Sequence, residues 1–130
     1  MSLVRITLTI TAGVLKGEEY VFHERARCML GRSPDCEIAL PMDMLHGDIS
    51  RRHCAFEIDP PTVCVRDLDS RNGTYVNGER IGQRSDPLTR DGSDHEGSIR
   101  ELLNGDVVRV GSTAIRISVN ELSLAPMTSE

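Results

Sequence analysis

Short segments in which polar and apolar residues alternate recur along most of this 130-residue chain. The alternation is clearest in residues 5–11, where single threonines separate Ile6, Leu8 and Ile10. A period of two places the apolar side chains on one face of a β-strand, so each segment is expected to be half-buried. Such strands bury their apolar faces by packing one sheet against another.

Turn-forming residues separate the segments at the short spacing that is typical of β-sandwiches and barrels. Asn77-Gly78 is the strongest hairpin signal, because both central positions of a type I′ turn need positive φ, and Gly111-Ser112 predicts a second hairpin. Residues 98–103 fit either a helical turn or a strand. Strands are expected at residues 5–11, 19–22, 28–30, 37–40, 53–58, 63–68, 74–76, 79–81, 106–110 and 113–119. The chain is therefore predicted to be all-β.

Length and charge exclude several classes of protein. The chain has the length of one ordinary domain, and its apolar runs fall far short of the roughly twenty residues that cross a membrane. It carries 15 basic and 20 acidic residues, a net charge of −5. Nucleic-acid-binding domains are usually basic, so a nucleic acid is not expected as a partner. The short apolar runs make a membrane equally unexpected. Arginine supplies nearly all of the basic charge, which favours a bacterial source.

The cysteines and histidines suggest neither a metal site nor an enzyme. The four cysteines are Cys28, Cys36, Cys54 and Cys64. They have no zinc-type spacing, either alone or together with His46 and His53, and are expected to be reduced core thiols of a cytoplasmic protein. His53 and Cys54 are neighbours on a predicted strand, so they point to opposite faces and cannot form a nucleophile pair. No paired carboxylates or glycine-rich phosphate loop are evident, so no cofactor and no catalysis are predicted.

Unusual polar residues concentrate in three segments at predicted strand ends. They are residues 31–34 (Gly-Arg-Ser-Pro), 50–53 (Ser-Arg-Arg-His) and 69–74 (Asp-Ser-Arg-Asn-Gly-Thr). If a sandwich brings these segments to one end, four arginines, three serines and an asparagine converge there. Such a set of donors is chemically suited to an anion such as phosphate.

The three polar segments, together with residues 67–78 (Asp-Leu-Asp-Ser-Arg-Asn-Gly-Thr-Tyr-Val-Asn-Gly) and 103–111 (Leu-Asn-Gly-Asp-Val-Val-Arg-Val-Gly), resemble the forkhead-associated (FHA) domain family. The resemblance extends over residues 4–119 with the motifs in the family's order. It implies a β-sandwich of about eleven strands in two mostly antiparallel sheets, which binds phosphothreonine peptides without catalysis. Residues 1–120 would form this domain, with residues 82–97 as a long loop insertion and residues 121–130 as a tail or the start of a linker.

The resemblance also assigns roles to individual residues. Arg32 matches an arginine that contacts the phosphate, and Ser50 matches a serine whose hydroxyl and backbone donate to it. Arg51 is implied as a second cationic or backbone contact, and Arg71 as a further phosphate contact. Asn72 matches an asparagine that hydrogen-bonds the peptide backbone near the phosphorylated residue.

A second group of residues is implied to support the site without binding the ligand. His53 matches a buried histidine that braces the site, and Asn77-Gly78 matches a hairpin that supports it from behind. Gly31 and Gly73 belong to the same supporting group.

Simpler interpretations of some of these residues stay open. Arg32 could take part in a surface salt bridge, and Ser50 and Asn72 are common turn residues. Arg52 is expected to face solvent or to stabilise the adjacent strand.

Two functions from different classes follow. The first is a phosphothreonine reader in Ser/Thr kinase signalling, as one domain of a larger bacterial protein, with a kinase or its substrates as partner. The second is a phosphate-independent interaction or dimerisation module on the same fold. The intact set of Arg32, Ser50, Arg51 and Asn72 favours the first, because a degenerate family member would usually lack one of them.

Overall fold

The computed structural model of the protein describes residues 2–40, 49–82 and 99–123. These residues form eleven strands and no helix, which confirms the predicted all-β class. The strands are β1 (Ser2–Ala12), β2 (Glu19–Phe22), β3 (Ala26–Gly31), β4 (Ile38–Ala39), β5 (Cys54–Asp59), β6 (Thr62–Asp67), β7 (Thr74–Val76), β8 (Glu79–Gly82), β9 (Ile99–Leu102), β10 (Val107–Val110) and β11 (Thr113–Ser123). Across these ranges, no helix could serve as a membrane span.

The strands form two sheets. The six-stranded sheet has the order β2-β1-β11-β10-β7-β8, and the five-stranded sheet has the order β4-β3-β5-β6-β9. Pairing is antiparallel except between β3 and β4, which run parallel. The expectation of two mostly antiparallel sheets is therefore confirmed.

The core lies between the sheets and consists of the alternating apolar residues that the period-two pattern predicted. Ile6, Leu8 and Ile10 of β1 are at most 1% exposed, and Phe56 of β5 is completely buried. Burying a side chain of this size stabilises the fold by about 1.5–3 kcal/mol relative to leaving it exposed.

One strand is longer than the sequence suggested, and another decides between two alternatives that the sequence left open. Strand β11 continues to Ser123, inside the segment 121–130 that was predicted to be a tail, because Ser2 at the start of β1 pairs with Ser123. The segment for which a helical turn and a strand both fitted contains β9, which adds to the edge of the five-stranded sheet beside β6. The predicted loop insertion at 82–97 lies, after Gly82, outside the described residues.

All four cysteines are free. Cys28 and Cys54 are completely buried between the sheets. Burial, with a smaller contribution from Glu37, raises the pKa of the Cys28 thiol to about 12, and burial raises the pKa of Cys54 as well. Both thiols therefore stay protonated at neutral pH and pack as small apolar side chains.

Candidate functional site

Antiparallel pairing brings three strand ends to one end of the sandwich. Leu30, near the end of β3, faces Cys54 at the start of β5, and Cys54 faces Asp67 at the end of β6. The three polar segments singled out from the sequence adjoin these strand ends. Residues 31–34 begin at the last residue of β3, residues 50–53 precede β5, and residues 69–74 come after β6. The strand register therefore places the three segments side by side.

Backbone hydrogen bonds join the first two polar segments. The Arg32 amide donates to the Ser50 carbonyl at 3.1 Å, and the Ser33 amide donates to the Arg51 carbonyl at 3.0 Å. A Cβ atom at Gly31 would lie only 2.0 Å from the Arg51 carbonyl oxygen. The absence of a side chain at Gly31 is therefore what allows the two segments to approach this closely.

Ser50 joins the second polar segment to the third. Its hydroxyl oxygen accepts a hydrogen bond from the backbone amide of Arg71 at 2.9 Å. The serine is partly exposed, and within the described ranges its hydroxyl hydrogen has no acceptor. The hydroxyl is thus held in place through its oxygen and can still donate to a bound group.

His53 is completely buried beneath these segments and ties them together. Its Nδ1 accepts from the Ser50 amide at 3.1 Å, and its Nε2 lies 2.8 Å from the Gly73 carbonyl oxygen. A backbone amide can only donate and a carbonyl can only accept, so the ring is the neutral tautomer with its proton on Nε2. The backbone of His53 also donates to the Leu30 carbonyl and accepts from the Leu68 amide. His53 therefore joins the residue just before the first segment, the start of the second segment, and the third segment together with the residue that precedes it.

Three arginines of these segments, Arg32, Arg51 and Arg71, are at least partly exposed, as is Asn72. The Arg32 Nε donates to the Ile49 carbonyl at 2.5 Å. That bond orients the guanidinium and leaves its two terminal nitrogens without a partner in the described part of the chain. Arg51 likewise has no ion pair there. This end of the sandwich consequently presents positive charge together with unused hydrogen-bond donors.

Arg52 differs from Arg32 and Arg51, because its charge is already compensated. It is exposed and forms an ion pair with Asp35, with 2.7 Å between Nη2 and Oδ2. Asp35 also accepts a hydrogen bond from the Ser33 hydroxyl. The hydrogen bonds from Ser33 and Arg52 lower the pKa of the Asp35 carboxyl, so the pair stays ionised at neutral pH.

A buried polar network underlies the third segment, and the sequence analysis did not single it out. Asp67, Ser70 and Thr74 are all completely buried. The Asp67 carboxylate accepts from the Ser70 hydroxyl at 2.6 Å, the Thr74 hydroxyl at 2.7 Å and the Ser70 amide at 3.1 Å. The Ser70 hydroxyl in turn accepts from the Gly73 amide at 3.0 Å. A signal was present, since alternation in β6 points Asp67 to the same side as the buried Val65, and a buried carboxylate needs partners.

Asn77 and Gly78 form the predicted two-residue turn between β7 and β8, with φ values of 52° and 86°. The Asn77 side chain accepts from the Val107 amide at 2.9 Å and donates to Asp106 at 3.0 Å. This turn lies at the end of β7 opposite to Thr74, and its hydrogen bonds fasten β7 to β10. Its contribution to the polar segments is therefore indirect, through the position of β7.

Guanidinium groups, a hydroxyl and backbone amides together can satisfy the several acceptor oxygens of a compact anion. Among the described residues, no group of three or more His, Cys, Asp and Glu side chains could hold a metal ion. The chemistry available at this end of the sandwich is accordingly recognition of an anionic group.

The class of protein to which this two-sheet sandwich with converging polar loops belongs is shown by a family model. The model of the FHA domain matches residues 28–111, which include all three polar segments. This match covers more than half of the 130 residues, so the chain belongs to the FHA domain family. FHA domains are interaction modules rather than enzymes.

Solved FHA domains share the fold. An FHA domain from Chlamydia trachomatis is 26% identical, with 88% of this chain and 96% of that chain covered and a TM-score of 0.67. The FhaA FHA domain, complexed with the intracellular domain of another protein, is 27% identical, with coverages of 86% and 98% and a TM-score of 0.62. A domain solved in an analysis of phosphothreonine-dependent FHA interactions is 26% identical, with coverages of 88% and 95% and a TM-score of 0.64. No curated protein matches the sequence significantly.

Proposed function

We propose that this FHA domain binds phosphothreonine-containing segments of other proteins, as a reader module in Ser/Thr kinase signalling, and catalyses no reaction itself. One observation carries the proposal. The Ser50 hydroxyl is fixed by the Arg71 amide, keeps its own hydrogen for a ligand, and belongs to polar segments that also carry Arg32 and Arg51. The partner is accordingly a phosphorylated protein, either a Ser/Thr kinase or one of its substrates.

The chemistry of phosphothreonine matches these donors. The phosphate carries a charge of about −1.5 to −2 and three acceptor oxygens. Arg32 can engage two of the oxygens through its terminal nitrogens, and the Ser50 hydroxyl can donate to a third. Each charge-assisted hydrogen bond contributes about 1.5–3 kcal/mol. Two or three such bonds exceed the cost of ordering a short peptide by a modest margin, so micromolar affinity is expected, about −8 kcal/mol.

The third segment would contact both the phosphate and the peptide backbone near the phosphothreonine. Asn72 is exposed beside Arg71, and its amide both donates and accepts, as hydrogen bonding to a peptide backbone requires. Arg71 adds positive charge next to the phosphate. The bond between His53 and the Gly73 carbonyl positions Asn72 from behind, because Gly73 directly follows it.

Two of the similar structures support the proposal that the partner is a protein bound through phosphothreonine. One belongs to an analysis of phosphothreonine-dependent interactions, and another contains the intracellular domain of a second protein. A cytoplasmic location follows from the proposal, since Ser/Thr kinase signalling operates there and the four cysteines are free thiols.

The test is a fluorescence anisotropy titration with a degenerate phosphothreonine peptide pool. Phosphoserine and unphosphorylated pools serve as ligand controls. Arg32→Ala is the site variant, and Arg27→Ala is its matched control, because Arg27 is an exposed arginine of β3, the strand that ends just before Arg32, and has no ion pair in the described chain. Circular dichroism checks that both variants fold.

The wild-type domain is expected to bind the phosphothreonine pool with micromolar affinity. Arg32→Ala should weaken binding at least about tenfold, the loss of one charge-assisted bond, whereas Arg27→Ala should leave it unchanged. Burial of one methyl group is worth about 0.8 kcal/mol, so that effect alone makes phosphoserine about fourfold weaker. Absent binding, or equal binding of the unphosphorylated pool, would contradict the proposal. Those results would favour a phosphate-independent interaction or dimerisation module, to be examined by analytical ultracentrifugation.

A further inference from the structure

The outer face of the six-stranded sheet carries positive charge that the polar segments do not account for. Along its strands, side chains that point outward alternate with those of the core. The outward set includes Arg5 on β1, Arg116 on β11, Arg109 on β10 and Tyr75 on β7. These four residues are called the arginine band.

Strand register fixes the layout of the arginine band. Arg109 faces Tyr75 across the pair of β10 and β7. Arg116 faces the residue two before Arg109, so these two arginines are diagonal neighbours about 7–8 Å apart. Arg5 faces Asn120, four residues beyond Arg116, which is about 13 Å along the strands.

A shallow cavity of about 310 Å³ lies on this face and includes Arg5 and Arg116 in its lining. Between these arginines lie the small side chains of Thr7 and Ser118, which face each other across β1 and β11. Asn120 also lines the cavity, and so does one carboxylate, Glu19. Hydroxyl and amide groups between two arginines give the cavity neutral donors as well as charge.

The charge of the arginine band is opposite to that of the whole chain, which is −5. Among outward-facing residues on the described strands of this sheet, Glu19 is the one carboxylate. Arg5, Arg109 and Arg116 have neither an ion pair nor a side-chain hydrogen bond in the described ranges. Uncompensated arginines on one face concentrate positive potential there and attract an acidic partner.

We propose that the arginine band binds an extended acidic segment of a partner protein, independently of phosphorylation. Alternate residues of an extended chain project to one side at about 6.6 Å intervals. Carboxylates at that spacing match the 7–8 Å diagonal between Arg109 and Arg116, and a longer segment reaches Arg5. Each guanidinium can take a carboxylate in a bidentate pair.

The scarcity of aromatic side chains favours a polypeptide over a nucleic acid at this face. Tyr75 is the one aromatic side chain on the described part of the face, whereas single strands are usually held on several stacked aromatic rings.

The probe is a fluorescein-labelled, unphosphorylated dodecapeptide of alternating Glu and Ser, titrated at low ionic strength. The test protein is the triple variant Arg5→Gln, Arg109→Gln, Arg116→Gln. Its matched control removes the same charge from elsewhere on the surface: Lys16→Gln, Arg25→Gln, Arg27→Gln. Each arginine of the band is expected to contribute about two- to fivefold. The triple variant should therefore bind at least about eightfold more weakly, and the control less than about twofold.

Other measurements separate this proposal from the phosphothreonine site. Arg32→Ala should leave the affinity for the Glu-Ser peptide unchanged, and the triple variant should still bind the phosphothreonine pool. No binding of the Glu-Ser peptide, equal losses in the two triple variants, or a loss in Arg32→Ala would overturn the proposal. Tighter binding of a single-stranded oligonucleotide of equal charge, lost in the test variant, would make this face a nucleic-acid site instead.

Discussion

The backbone amide of Arg71 donates a hydrogen bond of 2.9 Å to the hydroxyl oxygen of Ser50, which lies 21 residues earlier in the chain. The bond uses one lone pair of the hydroxyl and leaves its hydrogen for a ligand. Ser50 is itself held by His53, whose ring also bonds to the Gly73 carbonyl. The candidate binding surface is thus assembled by bonds between loops, and changes in those bonds should alter affinity and stability to different degrees.

Ser50→Ala removes a proposed ligand donor and the acceptor of the Arg71 amide. Affinity for a phosphothreonine peptide is expected to fall about 10- to 100-fold, which corresponds to about 1.5–3 kcal/mol for a bond to a charged group. The free energy of unfolding should fall by only about 0.5–1.5 kcal/mol, because the lost internal bond is partly exposed. Calorimetric titration and urea unfolding measure the two effects. Ser112→Ala, at an exposed serine in the turn before β11, is the control. Unchanged affinity in Ser50→Ala would show that Ser50 is a turn residue without a role in ligand binding.

Gly31→Ala should affect both stability and binding. The added Cβ would lie 2.0 Å from the Arg51 carbonyl oxygen, and a backbone contact cannot be relieved by a change of rotamer. Overpacking of this kind costs about 1–3 kcal/mol and should separate the first two polar segments, with loss of peptide affinity. Gly17→Ala is a suitable comparison, because nothing lies within 4 Å of its Cβ and only its positive φ of 101° opposes a side chain. It should cost about 1–2 kcal/mol of stability and leave affinity intact; a loss of affinity in both variants would contradict this account.

Disruption of the buried network of Asp67, Ser70 and Thr74 should lower both stability and peptide affinity, because the network underlies the third polar segment. In Asp67→Asn the new NH2 group meets at least one of the donors that the carboxylate accepts, namely the two hydroxyls and the Ser70 amide. An unsatisfied buried donor costs about 1–3 kcal/mol, and the loosened segment should bind phosphopeptide more weakly. Thr74→Val removes one donor without adding another, so it should cost less, about 1 kcal/mol. Urea unfolding of both variants measures which one loses more free energy of unfolding. A larger loss in Thr74→Val would show that the carboxylate is not the centre of the network.

Sequence periodicity was sufficient for most of the fold. Alternation located the main strands, and Asn77-Gly78 located the hairpin between β7 and β8, since only a few residue types accept positive φ at both turn positions. The end of β11 was missed because Asn120 looks like the end of a strand, and the sequence does not show that β1 supplies a pairing partner as far as Ser123. The extent of a strand depends on its neighbour as well as on its own residues.

The site could be predicted at the level of segments but not of contacts. Motif residues pointed to the three polar segments, and the register brings those segments together. The 2.0 Å approach at Gly31 and the pairing of Arg52 with Asp35 depend on distances between loops that no local pattern contains. The alternation of β6 predicts that the Asp67 side chain is buried. Its role depends on the three donors that the fold brings to it, which the alternation does not reveal.

The thiols provide a final prediction, on chemical reactivity. Burial raises the pKa of Cys28 to about 12 and also raises that of Cys54, so at pH 8 the reactive thiolate is scarce as well as inaccessible. Iodoacetamide is expected to leave both cysteines unmodified in the folded protein. Cys64 is partly exposed and should react first, although slowly, because desolvation and then the charges of Glu101 and Glu57 raise its pKa. Mass spectrometry of native and urea-unfolded samples measures the order, and all four cysteines should label after unfolding. A pair that stays unlabelled in urea until a reductant is added would contradict the assignment of four free thiols.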